Sequence, residues 1–238
     1  MARPKLIVFA SGTKVGGGSG FENLVNATRK KLSLDSARDN SLCELDADIV
    51  AVVSNHESGG VAERAKRLGI PFVYFAGPYD AEHYQKIVVD SGAEWVALSG
   101  WLKMVKGLDP AKTFNIHPAL LSFDHGRFGG SGLYGHYVHD AVKQALDTGA
   151  ITSSGCSIHF VTDEYDRGPV FFEYHVPLQK GMSAEEIAKA VNKAEHEWQP
   201  KITNLVVHGK IHWDGKNPKS LTVPKDFKYF PKQGNPLE

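Results

Sequence analysis

The chain reads as a single α/β domain built on a mostly parallel, twisted sheet with helices on both faces. Three observations predict this. Short β-rich apolar runs alternate with amphipathic stretches along the first half, a βαβαβαβ rhythm that demands crossover connections. The first run, Leu6 to Ala10, is wholly apolar, as expected of a strand buried on both faces. The length of 238 residues, with 42% apolar and 23% charged residues, suits one large domain with a tail.

The elements follow in order. After Leu6 to Ala10 comes a Gly-rich loop, then a helical pattern from Phe21 to Leu32. Ile49 to Ser54 is a second strand, and Gly60 to Leu68 a helix closed by Gly69 and Ile70-Pro71. Phe72 to Phe75, a helix over Asp80 to Asp90, and Trp95 to Ser99 complete the repeating half. Thr113 to His117 is a strand end, residues 122 to 136 a Gly-rich loop, and Val138 to Leu146 a helix. Ser157 to Val161 and Val170 to Val176 are strands joined by a turn. Ser183 with Glu186 forms a capping box that opens a helix from Ala184 to Val207, with Pro200 as a point of kinking.

Two segments look added. Asp35 to Asp48 is polar and loop-like. Residues 214–238 carry four of the 12 prolines and five lysines, and read as a tail that wraps the surface of a 1–213 domain.

Composition excludes several classes of function. Lys plus Arg and Asp plus Glu both total 27, so no field of either sign dominates, which argues against nucleic acid or an anionic membrane as partner. The two cysteines, Cys43 and Cys156, form neither a disulfide framework nor a metal-type pair, and read as reduced thiols of a cytoplasmic protein. Met1 to Ala10 is too short for a signal segment, and no apolar stretch approaches the ~20 residues needed to span a bilayer. No His-Glu-x-x-His or similar spacing occurs among the 11 histidines, so no metal is expected.

Three constellations carry chemistry. Ser11-Gly12-Thr13-Lys14-Val15-Gly16-Gly17-Gly18-Ser19-Gly20 lies between a strand and a helix, where backbone N–H groups and the helix dipole can cradle a phosphate; otherwise it is a flexible turn. In Asn115-Ile116-His117-Pro118, positions i and i+2 of a strand face one side, so an amide and an imidazole can share a cleft as oxyanion donors, or simply hydrogen-bond a strand end. In the acidic turn Thr162 to Gly168, Asp166 is placed to pair with His117 and keep an imidazolium available, whereas Asp163 and Glu164 read as solvated turn residues. His159 is expected to pack beside Asp166.

These motifs occur in order with Ser54-Asn55, Ser99-Gly100-Trp101-Leu102-Lys103-Met104, Gly132-Leu133-Tyr134-Gly135, Val138-His139 and Ala194-Glu195-His196. Together, over residues 5 to 212, the chain resembles the phosphoribosylglycinamide formyltransferase family of the formyl transferase superfamily. The resemblance implies a Rossmann-like three-layer formyltransferase fold. It implies transfer of a formyl group from 10-formyltetrahydrofolate to the amine of 5'-phosphoribosylglycinamide in purine biosynthesis, by a monomer or homodimer. It further implies Asn115, His117 and Asp166 as the catalytic trio. Trp101, Leu102, Lys103, Met104, Val161, Thr162 and Asp163 would hold the folate. Ser11, Gly12, Thr13, Gly18, Ser19 and Gly20 would hold the phosphate, and Glu195 the glycinamide end. The chain departs from the pattern where Lys14 to Gly17 look inserted, and where Lys103 replaces a common Arg and loses its bidentate reach. A formyltransferase for an amino-sugar nucleotide and a formyltetrahydrofolate hydrolase are the alternatives within the superfamily. A tRNA-directed enzyme would need a longer C-terminal region, and the hydrolase an N-terminal regulatory domain. A phosphoribosyl-binding protein without catalysis would keep the Gly loop and need no trio.

Overall fold

A computed structural model of the chain describes residues 2–30 and 44–227. The ordered elements are β1 (Lys5–Phe9), α1 (Ser19–Arg29), β2 (Asp48–Ser54), α2 (Gly60–Leu68), β3 (Phe72–Tyr74), α3 (Ala81–Ser91), β4 (Trp95–Ser99), β5 (Thr113–His117), α4 (His136–Asp147), β6 (Ser153–Phe160), β7 (Val170–Pro177) and α5 (Ala184–Val207). They build a seven-stranded sheet in the order β3-β2-β1-β4-β5-β6-β7. The pairings from β3 to β5 are parallel, and β6 and β7 join antiparallel.

The pleat of β1 explains the layering. Leu6 and Val8 face a core shared with α1, α2, α4 and α5, whereas Ile7 and Phe9 face a second core containing Tyr84 of α3, Trp101 and Val105. All four are fully buried, as a strand covered on both faces must be. The chain steps outward from β1 through β2 to β3, then returns to the other side of β1 to lay down β4. With right-handed crossovers this reversal puts α3 on the opposite face from α1 and α2, and it opens a crevice beyond the C-terminal ends of β1 and β4.

Helix ends follow local chemistry. Asp80 caps α3 by accepting from the His83 N–H, and Ser183 and Glu186 form the expected capping box of α5. Helix α5 continues through the buried Pro200. Proline has no N–H to give the carbonyl four residues back, which is that of His196. Asn23 of α1 donates to this carbonyl instead, at 2.7 Å, and so ties the two helices together.

Several boundaries differ from the sequence reading, most by one or two residues. Strand β6 begins at Ser153 rather than Ser157, because backbone pairing with β7 carries it through the small residues Ser153, Ser154 and Gly155. A Cβ at Gly155 would lie 1.9 Å from the Tyr174 carbonyl oxygen, so only glycine fits that close approach. Helix α4 starts at His136, two residues early. The end of the helical pattern at 31–32 and residues 35–43 of the polar segment Asp35 to Asp48 lie outside the described residues, as does the tail beyond 227.

The 214–227 segment returns to the domain. Trp213 is buried, its Nε1–H donates to the Asn217 carbonyl at 2.8 Å, and its ring lies 5.8 Å from that of Phe160. Leu221, Val223 and Phe227 then pack on the larger core. Trp213→Ala is expected to cost about 3–5 kcal/mol in urea unfolding; a loss below about 1 kcal/mol would mean that Trp213 does not anchor the segment.

Candidate active site

The crevice holds a cavity of about 650 Å³. Its floor is the C-terminal ends of β4 and β5, one wall is the Gly-rich loop, and the opposite wall is α5. Ser11 fixes the mouth of the switch point. Its N–H donates to Gly100 O at 3.0 Å, its Oγ accepts from Leu102 N–H at 3.0 Å, and its carbonyl accepts from Ser54 Oγ at 2.8 Å. Ser11 is therefore buried and does not line the cavity, contrary to its expected place against a phosphate.

Gly12, Thr13, Gly18, Ser19 and Gly20 do line it. The inserted residues form a tight turn, with Thr13 and Gly16 exchanging backbone hydrogen bonds and Val15 97% exposed at the tip. Lys14, Val15 and Gly16 do not line the cavity, whereas Gly17, the last of the inserted residues, does. Gly18 precedes α1 with φ 79°, which favours glycine, and no side chain caps the helix. A Cβ at Gly20 would lie 2.2 Å from Ser99 Oγ and drive that hydroxyl off Gln199 Oε1, which it reaches at 3.3 Å. Close packing thus accounts for glycine after Ser19.

Asn115 and His117 extend from the same side of β5, and both meet the turn after β6. Asp166 Oδ1 accepts from Asn115 Nδ2 at 3.4 Å and lies 3.3 Å from His159 Nε2. Its Oδ2 accepts from Gly130 N–H at 3.0 Å and lies 3.6 Å from His117 Nδ1. Asn115 and His159 face each other across the β5–β6 register, which brings Asn115 Nδ2 to 3.1 Å from His159 Nε2. His159 therefore packs beside Asp166, as read from the sequence. Asp166 holds a left-handed φ of 54°, unusual for a non-glycine residue, which turns its carboxylate inward. Burial works against the Asp166 charge, but the His159 hydrogen bond, the two imidazoles and the Gly130 N–H outweigh it and hold the carboxyl well below its usual range.

The expected His117 imidazolium is corrected. Burial lowers the His117 pKa and outweighs both Asp166 and the Phe128 carbonyl, which His117 Nε2 meets at 2.7 Å. The imidazole rests in its neutral form. At Glu195, burial pushes the carboxyl up to about 7, against the hydrogen bond that Asn192 Nδ2 donates at 3.3 Å.

The residues expected to hold a folate divide. Leu102 lines the cavity and is 39% exposed. Trp101 touches the cavity, but its indole is buried in the second core, T-shaped against Phe9 and hydrogen-bonded to Tyr84 OH at 3.0 Å. Lys103 lies outside the lining, with Nζ 5.4 Å from the Tyr79 ring, and Met104 is also outside it. Val161, Thr162 and Asp163 line a separate, smaller cavity of about 140 Å³ with Val105 and Leu108. Sequence reasoning missed Asn192 and Gln199, which with Glu195 form a polar stripe at helical spacing on α5. It also missed the cavity role of His139, whose buried Nδ1 has no hydrogen-bond partner among the described residues.

Residues 5–203 match the formyl transferase family. The chain belongs to that family. This formyl transferase is 34% identical over 222 residues to a chloroplastic phosphoribosylglycinamide formyltransferase of Arabidopsis thaliana, with 89% of the chain covered, and 32% identical to the protein of that name in Vigna unguiculata. It spans 68% and 63% of the length of those two proteins. It shares its fold with glycinamide ribonucleotide transformylase 1 from Symbiobacterium toebii, with a TM-score of 0.71 at 24% identity over 93% of this chain and 94% of that one.

The raised Glu195 carboxyl has a consequence for stability. Between its ordinary pKa and about 7 the folded protein binds more protons than the unfolded chain, so stability falls as pH rises through that window. Glu195→Gln should be more stable than the parent by about 2 kcal/mol above pH ~8, with the gain vanishing below pH ~4. Urea unfolding at both extremes checks this, and a gain independent of pH would contradict it.

Proposed function

We propose that this formyl transferase moves a formyl group from 10-formyltetrahydrofolate to the amine of 5'-phosphoribosylglycinamide, the step of purine biosynthesis for which its relatives are named. The observation that carries the reading is the convergence of Asn115, His117 and Asp166 on one cavity that the Gly-rich loop, Leu102 and α5 also line. We take the enzyme to work in the cytoplasm on small molecules, as a monomer or homodimer and without a metal.

The chemistry follows from the side chains. The substrate amine attacks the formyl carbon, and its C=O becomes an oxyanion on a tetrahedral carbon. Asn115 Nδ2–H and the His117 imidazole lie on the same side of β5 to receive that charge. His117 is neutral in the resting site. A developing oxyanion raises its proton affinity, so His117 takes up the proton released by the attacking amine, and Asp166 beside it stabilises the imidazolium that forms. Collapse breaks the bond from the formyl carbon to the folate nitrogen. The proton lost by the amine ends on that nitrogen, and the products are a formamide and tetrahydrofolate. His117, kept charged by the ionised Asp166 beside it, is the group suited to relay it.

Purified enzyme with 10-formyltetrahydrofolate should release tetrahydrofolate only when phosphoribosylglycinamide is added. Turnover at the same rate in water alone would identify a hydrolase, and turnover only with an amino-sugar nucleotide would identify the other acceptor class. Asn115→Ala and His117→Ala should each lower kcat by about 10²–10³ with KM little changed. An undiminished rate in either variant would remove the trio from the chemistry.

A further inference from the structure

The Gly-rich cradle, read as a phosphate site, is short of counter-charge. Arg64 and Arg67, the guanidiniums beside it, both grip Glu22 of α1, at 2.7 and 2.6 Å, and Arg64 also donates to Gly17 O. Neither lines the cavity. Lys14 sits on the projecting turn, and Lys189, at the cavity wall, pairs with Glu185 on the exposed side of α5. What touches the cradle from within is an imidazole: His196 Nε2 lies 3.2 Å from the hydroxyl of Ser19, the first residue of α1.

The backbone holds that imidazole in place. The His196 carbonyl, released from the α5 ladder by Pro200, accepts from Asn23 one turn along α1 from Ser19. The same two helices that form the anion end of the cavity are thereby stitched together at the histidine. Its surroundings keep it neutral when the site is empty: burial lowers its pKa, and the opposing field of Glu22 is largely spent on the two arginines.

We propose that His196 is a phosphate-recognition residue, which takes up a proton when a phosphate monoester settles on Ser19 and the first turn of α1. This rests on the phosphoribosyl reading of the cavity. A dianion at the α1 N-terminus gains the helix dipole and the Ser19 hydroxyl, and its field draws a proton to the nearest imidazole. The bound phosphate then meets a charge-assisted donor that the empty site does not display. Because the proton arrives with the ligand, affinity is highest below the free-site pKa of His196 and falls as pH rises through the bound-site value.

Other groups around the cavity also titrate and must be separated. Glu195 adjoins His196 on α5, and its charging near pH 7 would repel a phosphate with the same sign of pH dependence. Glu22 faces His196 from α1, with Arg64 and Arg67 behind it, and Glu185 and Lys189 stand further along α5. Across the cavity are His117, His139 and Asp166.

The test uses ribose 5-phosphate and the full chain, by calorimetry in buffers of different ionisation enthalpy near pH 7.5, above the phosphate's own second pKa of ~6. The parent enzyme should take up a substantial fraction of one proton, and its affinity should fall by about tenfold from pH ~6.5 to ~8.5. His196→Asn, which keeps a polar group near Ser19, should bind about tenfold more weakly at pH ~6.5 and lose both the proton uptake and the slope. Glu195→Gln should keep the uptake. In a second measurement, ¹⁵N shifts of the His196 ring in the unsubstituted protein should move from neutral to protonated on adding ribose 5-phosphate. Binding with unchanged proton uptake in His196→Asn, loss of the uptake in Glu195→Gln instead, or an imidazole that stays neutral would overturn the role of His196 and leave the phosphate site intact. If millimolar ribose 5-phosphate neither binds nor competes with phosphoribosylglycinamide, the phosphate reading falls and this inference with it.

Discussion

The site is organised around one buried carboxylate. Asp166 sits between the His117 and His159 imidazoles, with the Asn115 amide and the Gly130 N–H on its remaining lone pairs. A carboxylate removed from water costs several kcal/mol unless its hydrogen-bonding capacity is filled, so this charge dictates where four different chain segments must lie. The turn after β6 accepts a left-handed backbone at Asp166 to aim it. Gly168 allows the turn to close, since a Cβ there would lie 1.7 Å from the Phe160 carbonyl oxygen. On the far side, the segment after His117 is pinned by Glu173 of β7, which accepts from Ser122 N–H, Ser122 Oγ and Ser157 Oγ. That anchorage steadies the loop whose Phe128 carbonyl holds His117 Nε2.

The cavity lies where it does because of strand order rather than loop composition. The reversal of direction between β3 and β4 opens the sheet at β1 and β4, and Ser11 closes the gap with three hydrogen bonds to Gly100, Leu102 and Ser54. Helix α5, packed across α1, α4, β6 and β7, forms the back wall. Its polar face of Asn192, Glu195, His196 and Gln199 is turned to the cavity, while Ile187, Val191, Ile202 and Val206 are buried in the core. One amphipathic helix thus supplies both core packing and a polar cavity wall.

Much of this was legible in the sequence. The wholly apolar β1, the capping box of α5 and the Gly69 stop of α2 are local signals with a physical cause, and those elements lie where the patterns put them. The i, i+2 spacing of Asn115 and His117 likewise placed both on one face. What the sequence did not disclose depends on long-range hydrogen bonds. Ser11 looks like a phosphate ligand until the Leu102 N–H is seen to hold its hydroxyl. Trp101 and Lys103 are expected folate contacts, yet Tyr84 and Tyr79 take their polar ends. The charge of His117 was misjudged because a neighbouring carboxylate can be read from sequence spacing and the degree of burial cannot.

The electrostatics of the cavity have a common direction. Burial pushes His117, His139, His196 and Glu195 toward their neutral forms, while Asp166 alone among these five is held ionised by its partners. A site with many fixed charges would bind water and counter-ions tightly, and each would have to be displaced before a substrate could enter. Here the donors and acceptors are already oriented by the sheet and by α5, but most of their charge is withheld. A charged ligand entering such a cavity meets groups whose protonation can adjust to its own sign at little geometric cost. The same burial that makes these groups reluctant to ionise strengthens each pairing once it forms, because little solvent remains to screen it. The one fixed charge among these five groups, the Asp166 carboxylate, lies beside the His117 and His159 imidazoles, so a proton taken up by either would be stabilised there.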